Sequence, residues 1–125
     1  MNLTAWIMIG AVVTALFVLK RAAFLSVEKA RRFLQDGALV VDVRNPGEFD
    51  SAHLPGAINL PLGDLSAEAP HRLPDKNRVL LLHCLSGARS GIAKGRLTRL
   101  GYSNAFNLGS YGRAEQVVRG SKEPQ

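Results

Sequence analysis

Two short apolar runs constrain the fold of this chain more than any other feature. Leu39–Val43 and Val79–His83 are rich in Val and Leu and show no alternation of apolar and polar residues. A strand with one face in water alternates, whereas a strand covered on both faces does not, so both runs suit strands sandwiched between helices. The intervening segments carry helical signals. Ser26 can cap a helix running to about Gln35, with Glu28 in its first turn, Val27, Ala30, Phe33 and Leu34 as its apolar stripe, and Gly37 at its end. Ser90–Leu100 places Ile92, Ala93, Leu97 and Leu100 on one arc, Arg96 at its edge and Gly101 at its close. Asn45-Pro46-Gly47 reads as a turn, Glu48–Ala52 as one helical turn, Leu62–Arg72 as containing a short helix and Tyr111–Arg119 as a last helix. Ala57–Leu60 and Ala105–Leu108 supply two more short strands. Strands alternating with helices predict a small α/β domain around a mostly parallel sheet.

The block Leu3–Leu19, LTAWIMIGAVVTALFVL, differs in kind. It holds no charge: all sixteen Lys and Arg and all ten acidic residues lie at or after position 20, so the formal +6 belongs to the rest of the chain. As a helix it would be about 25 Å long, a little under the ~30 Å hydrocarbon core of a bilayer. The expectation is an uncleaved transmembrane anchor over 1–21, a domain over 22–119 and a polar tail over 120–125. A cleaved signal peptide would carry positive charge before the apolar region, and Met1-Asn2 carries none. Trp6 would sit at one interface and Lys20 at the other. Lys20, Arg21, Lys29, Arg31 and Arg32 come after the span, so the positive-inside rule expects a single-pass protein with its domain in the cytoplasm. Ala11 and Ala15 have the small-residue spacing of packed membrane helices, but oligomeric state stays open.

The chain has one cysteine, which excludes an internal disulfide. Cys84 opens the stretch CLSGAR between an expected strand and an expected helix, the place where ligand sites gather in open α/β sheets. Gly87 lets successive backbone N–H groups turn inward to form an anion-binding nest, the start of the next helix adds unpaired donors, and Arg89 adds a full positive charge. Such surroundings favour the thiolate, which marks Cys84 as a nucleophile for an anionic substrate rather than an inert packing residue. Strand alternation turns His83 to the opposite side, as a packing residue rather than a general base. One Cys and three scattered His give no metal-ligand spacing, and no cofactor is indicated.

HCLSGARS resembles the CxxGxR active-site loop of the rhodanese sulfurtransferases, and VDVRNPGEFDSAHLPGAINLPL, Val41–Leu62, is similar to that family's upstream signature. The resemblance covers roughly Ser26–Val118. It implies a five-stranded parallel sheet flanked by helices, and a catalytic Cys84 that takes a sulfane sulfur from thiosulfate or a persulfide donor and passes it to a thiol or cyanide. It further implies that the backbone of Leu85, Ser86, Gly87, Ala88 and Arg89 holds the persulfide, with Arg89 favouring an anionic donor. Ser86 and Ser90 would add hydroxyl donors or cap the turn and helix. Asp42, Arg44, Glu48 and His53 would be structural, tying loops around the sheet. The chain departs from the family at Ala52, where Gly is frequent, and at Gly109-Ser110 and Ala114, where a Gly pair and Trp are usual, leaving Tyr111 and Arg113 as rim or surface residues.

Two other functions fit parts of the pattern. A phosphatase or arsenate reductase of the related fold needs a loop one residue longer, whereas four residues separate Cys84 from Arg89. A membrane-tethered binding module without turnover would not need Cys84, Gly87 and Arg89 together. The basic charge has no aromatic stacking platform beside it, which argues against nucleic acid as a partner.

Overall fold

The computed structural model describes residues 2–22 and 24–120, with side chains for 2–19 and 24–120. The expected flanking charges Lys20 and Arg21, and the tail after Gly120, lie outside those side chains. Helix α1 spans Leu3–Ala22, α2 Val27–Gln35, α3 Pro46–Ser51, α4 Leu65–Arg72 after a 3-10 turn at Leu62–Asp64, α5 Ala88–Arg99 and α6 Tyr111–Gly120. Strands β1 (Leu39–Asp42), β2 (Ile58–Asn59), β3 (Leu80–His83) and β4 (Ala105–Gly109) pair in parallel in the order β2-β1-β3-β4.

The apolar runs become the sheet centre for the reason their composition suggests. Leu80 and Leu82 face a core shared with Val41, Leu65, Ala93, Leu97 and Tyr102, while Leu81 faces a second core with Val40, Ala30, Leu108, Ala114 and Val117. Helices α4 and α5 thus cover one face and α2 and α6 the other. All three β3 leucines are fully buried, each burial stabilising by roughly 1.5–3 kcal/mol. Caps fix the helix starts: the Ser26 hydroxyl accepts from Lys29 N at 3.3 Å, and Asn45 and Glu48 form a reciprocal capping box behind Pro46.

Three expectations are corrected. The described residues form four strands rather than five; beside β4 the chain entering α2 makes a backbone hydrogen bond, Leu25 N to Asn107 O at 2.9 Å, without forming a strand. Ile92 is 52% exposed, because α5 approaches the sheet through Ser90, Ala93 and Leu97 and leaves Ile92 on its flank. The transmembrane anchor is not matched: among the described residues no helix is long and apolar enough to cross a membrane. The uncharged stretch of α1 is only 17 residues, about 25 Å, and charged Lys20 comes directly after it.

Candidate active site

Cys84 leaves the carboxyl end of β3 on the α4/α5 face, and His83 leaves on the other, as alternation requires. Main-chain bonds lace the loop to the junction of β4 and α6. Cys84 N donates to Gly109 O at 3.3 Å, Tyr111 N donates to Leu85 O at 3.1 Å, and Ser86 bridges Ser110. Gly87 sits at φ +99°, the left-handed region that favours glycine, and its carbonyl accepts from Gly91 N at 3.1 Å as α5 begins. This conformation turns the Gly87 N–H onto Cys84 Sγ at 3.0 Å.

Cys84 is fully buried, and burial by itself pushes its thiol pKa up. The Ser90 hydroxyl, 3.5 Å from Sγ, and the amides of Ser90, Gly87 and Ser86 together outweigh burial, so the net direction is downward, toward the thiolate. Ser86 Oγ accepts from Ala88 N at 3.4 Å, a turn-capping role, whereas Ser90 Oγ faces the sulfur. The side chain of Leu85 is 61% exposed and plays no part in holding the loop. A cavity of about 400 Å³ borders the loop, lined by Phe24, Ser86, Gly87, Ala88, Ile92 and Asn107 among others.

Arg89 is not a free cation. Its Nη1 and Nη2 donate to Glu48 Oε1 and Oε2 at 2.7 and 3.0 Å, a bidentate pair joining α5 to α3. That pair, more than anything else, raises the Arg89 pKa, and it holds the Glu48 carboxyl down to about 2 against the opposing effect of burial. Because the folded value lies below the ordinary 4.5, the stabilisation is complete above that pH and fades as the pH falls through about 2. Urea midpoints of wild type and Glu48→Gln should therefore differ at neutral pH and converge toward pH 2; a difference independent of pH would refute the pairing.

Asp42 and Arg44 are buried together. Arg44 Nε reaches both Asp42 oxygens at 3.0 Å and Nη2 reaches Oδ2 at 2.8 Å, while Nη2 also donates to Ala52 O at 2.7 Å. The guanidinium lies over the Tyr111 ring at 4.7 Å. His83 packs edge-on to Tyr111, its Nδ1 is paired with Cys84 O at 3.2 Å, and burial lowers its pKa, so it stays neutral beside the sulfur's backbone rather than bonding to Sγ. His53 departs from expectation: it is exposed, stacks on Phe49 at 3.9 Å and bonds Phe49 O, and so serves the end of α3 alone. Arg113 is neither rim nor surface decoration: Nη2 donates to Leu25 O at 2.5 Å and the group lies 5.8 Å from the Phe24 ring centroid.

Sequence reasoning passed over Asn107. It is buried on β4, its Oδ1 accepts from Ser90 Oγ at 2.7 Å and Gly109 N at 2.9 Å, and its Nδ2 donates to Gly87 O at 3.1 Å. A register shift where β4 pairs Leu82 with Asn107 but His83 with Gly109 accompanies this arrangement. An amide inside an otherwise apolar buried strand was the available signal.

A parallel sheet whose central strand delivers a buried cysteine into an amide-lined loop ahead of a helix defines a small α/β domain built around a cysteine loop. The chain belongs to the Rhodanese-like domain family, whose profile matches residues 26–112. It is 38% identical over 69 residues to Thiosulfate sulfurtransferase PspE of Escherichia coli (strain K12), covering 55% of this chain and 66% of that protein. It is 31% identical over 84 residues to Thiosulfate sulfurtransferase GlpE of Pseudomonas syringae pv. syringae (strain B728a), covering 65% of this chain and 74% of that protein. The match to the Thiosulfate:glutathione sulfurtransferase of Saccharomyces cerevisiae (strain ATCC 204508 / S288c), 35% identical, covers 53% of this chain and 55% of that one. The chain thus spans between about half and three quarters of these relatives. Among solved structures, a rhodanese with anions from E. coli superposes with a TM-score of 0.59 at 34% identity, over 62% of this chain and 91% of that chain.

Proposed function

We propose that this domain is a sulfurtransferase that carries sulfane sulfur on Cys84. The Cys84 thiolate attacks the outer sulfur of thiosulfate or of a persulfide; a new S–S bond forms, the donor's S–S bond breaks, and its electron pair leaves on sulfite or on the donor thiolate. The Cys84 persulfide then gives its terminal sulfur to a thiolate or cyanide, and the electron pair of the breaking bond returns to Cys84. No external oxidant or reductant is needed.

The observation that carries this reading is the seat of the sulfur: Gly87 N–H at 3.0 Å, with the Ser86 and Ser90 amides also favouring its anionic form. Amides at that range can hold a persulfide anion as they hold a thiolate. Anion attraction comes from these amides and the start of α5, with Arg89, whose terminal nitrogens are engaged by Glu48 while it also interacts with Cys84, adding to it. That engagement weakens the phosphatase alternative, in which those nitrogens would grip a phosphoryl oxyanion. The names of the E. coli, P. syringae and yeast relatives support thiosulfate as donor and a low-molecular-weight thiol as acceptor.

Incubation with thiosulfate should add one sulfur to the intact mass, and cyanide should remove it. Absence of loading from thiosulfate and from glutathione persulfide alike would sink the proposal.

Attachment to a membrane through α1, with the domain on the cytoplasmic side, belongs to the same proposal. Its support is the exposure of apolar side chains around the whole helix, including Trp6, Met8, Val13 and Leu19, which water solvates poorly. Sedimentation of the full chain with membranes is the expected behaviour, with a reporter fused after Gln125 active only in the cytoplasm. A freely soluble full chain, or reporter activity outside, would overturn it.

A further inference from the structure

Asn107 touches the sulfur loop at two places and its amide has only one workable orientation. Oδ1 must face Gly109 N and Nδ2 must face Gly87 O; a flip would set donor against donor and acceptor against acceptor. Oδ1 is therefore the group at 2.7 Å from Ser90 Oγ. A serine hydroxyl has a single proton, and at that distance it is donated to Asn107. Ser90 then presents a lone pair to Cys84 Sγ at 3.5 Å, which suits an S–H donor and opposes a thiolate.

We propose that Asn107 is a positioning residue that sets, through the Ser90 hydroxyl, how readily Cys84 gives up its proton. In the thiol state Cys84 S–H donates to Ser90 Oγ, and Ser90 O–H donates to Asn107 Oδ1. When the thiol proton is lost, Ser90 turns its own proton onto the sulfur and releases Asn107, whose Oδ1 keeps Gly109 N. The proton on Ser90 is never transferred; only its direction changes. Asn107 therefore favours the thiol, and the thiolate forms by drawing Ser90 away from it. Ser90 leads the groups that favour the Cys84 anion, as a hydroxyl able to change direction would.

The other ionisable groups around Cys84 do not supply this effect. α5 presents Arg89, which is paired with Glu48 of α3 and also interacts with the Cys84 sulfur, an attraction that a change at Asn107 leaves in place. β3 presents His83, backed by Asp42 and Arg44 from β1. The start of α6 brings Tyr111 and Arg113, engaged with Arg44 and with Phe24 and Leu25. β4 carries no titratable side chain at all.

The inference rests on Cys84 being the reactive thiol, but its test needs no sulfur transfer. Cys84 is the sole cysteine, so iodoacetamide alkylation of the full chain in detergent, measured against pH, reports its ionisation directly. Asn107→Leu should move the alkylation midpoint to lower pH and raise the rate on the acid limb about three- to tenfold, the effect of one ordinary hydrogen bond. Ser90→Ala should move it to higher pH, and in that background Asn107→Leu should have no further effect. Asn107→Ala, with folding checked by circular dichroism, gives the same comparison should the bulkier leucine fail to fold. An unmoved or raised midpoint in the single variant overturns the inference, as does an equal displacement with and without Ser90. Loss of sulfur loading with an intact thiol titration pattern would instead count against the sulfurtransferase reading alone.

Discussion

Gly87→Ala is expected to destabilise the domain by about 2–5 kcal/mol and to lower sulfur loading on the order of a hundredfold. Two effects add. A side chain at φ +99° is strained, and its Cβ would lie 2.9 Å from the Phe24 ring and 3.1 Å from Gly109 Cα. The Phe24 ring can swing aside; the Gly109 backbone is held by Cys84 N and by Asn107, so the loop must move instead. Movement there takes the Gly87 N–H off the sulfur. Gly95→Ala is the internal control: it sits within α5 with open space around its Cβ, and alanine there should stabilise by about 0.5–1 kcal/mol. Denaturant midpoints and intact-mass loading measure both. A Gly87→Ala protein as stable and as readily loaded as Gly95→Ala would show that the loop is not held as described.

The second large effect concerns the charged pair beneath the sheet end. Asp42→Ala should cost about 3–5 kcal/mol, because it leaves the buried Arg44 guanidinium without its counter-ion. Arg44 would retain Ala52 O and the Tyr111 ring, neither of which neutralises it. The backbone N–H of Arg44 would also lose its 2.9 Å bond to Asp42 Oδ1. Replacing both residues by apolar ones of similar size, Asp42→Leu with Arg44→Met, should cost much less than the single change, since no unpaired charge remains. Urea unfolding of the three proteins decides it: a single variant no worse than the double would mean the pair carries no desolvation penalty.

How far the sequence discloses such features depends on the span of the interaction. Val40, Val41 and Leu80–Leu82 declare a doubly covered sheet because burial on two faces leaves a local mark on composition, and Ser26 declares a helix start because its cap bonds within three residues, whereas Asn45, read as part of a turn, caps α3 ahead of the helical turn expected from Glu48. The Cys84 loop was legible for the same reason: Gly87 and the start of α5 lie within a few positions of the sulfur. The pairing of Arg89 was not legible because its partner Glu48 is 41 positions away. Asn107 was missed because its importance exists only once β4 lies beside β3. Ile92 looked buried on helical periodicity, yet the depth at which α5 sits on the sheet, fixed by Ala93 and Leu97, decided otherwise.

The fastening of the Cys84 loop by peptide groups has a consequence for how such a protein can diversify. Leu85 and Ala88 contribute backbone to that fastening while their side chains stand in solvent on either side of Gly87. Recognition of a new sulfur donor or acceptor can therefore be written into those two positions, leaving the nucleophile's electrostatics to glycine, serine and asparagine that remain untouched. Chemistry and selectivity share one short segment and yet are free to change independently.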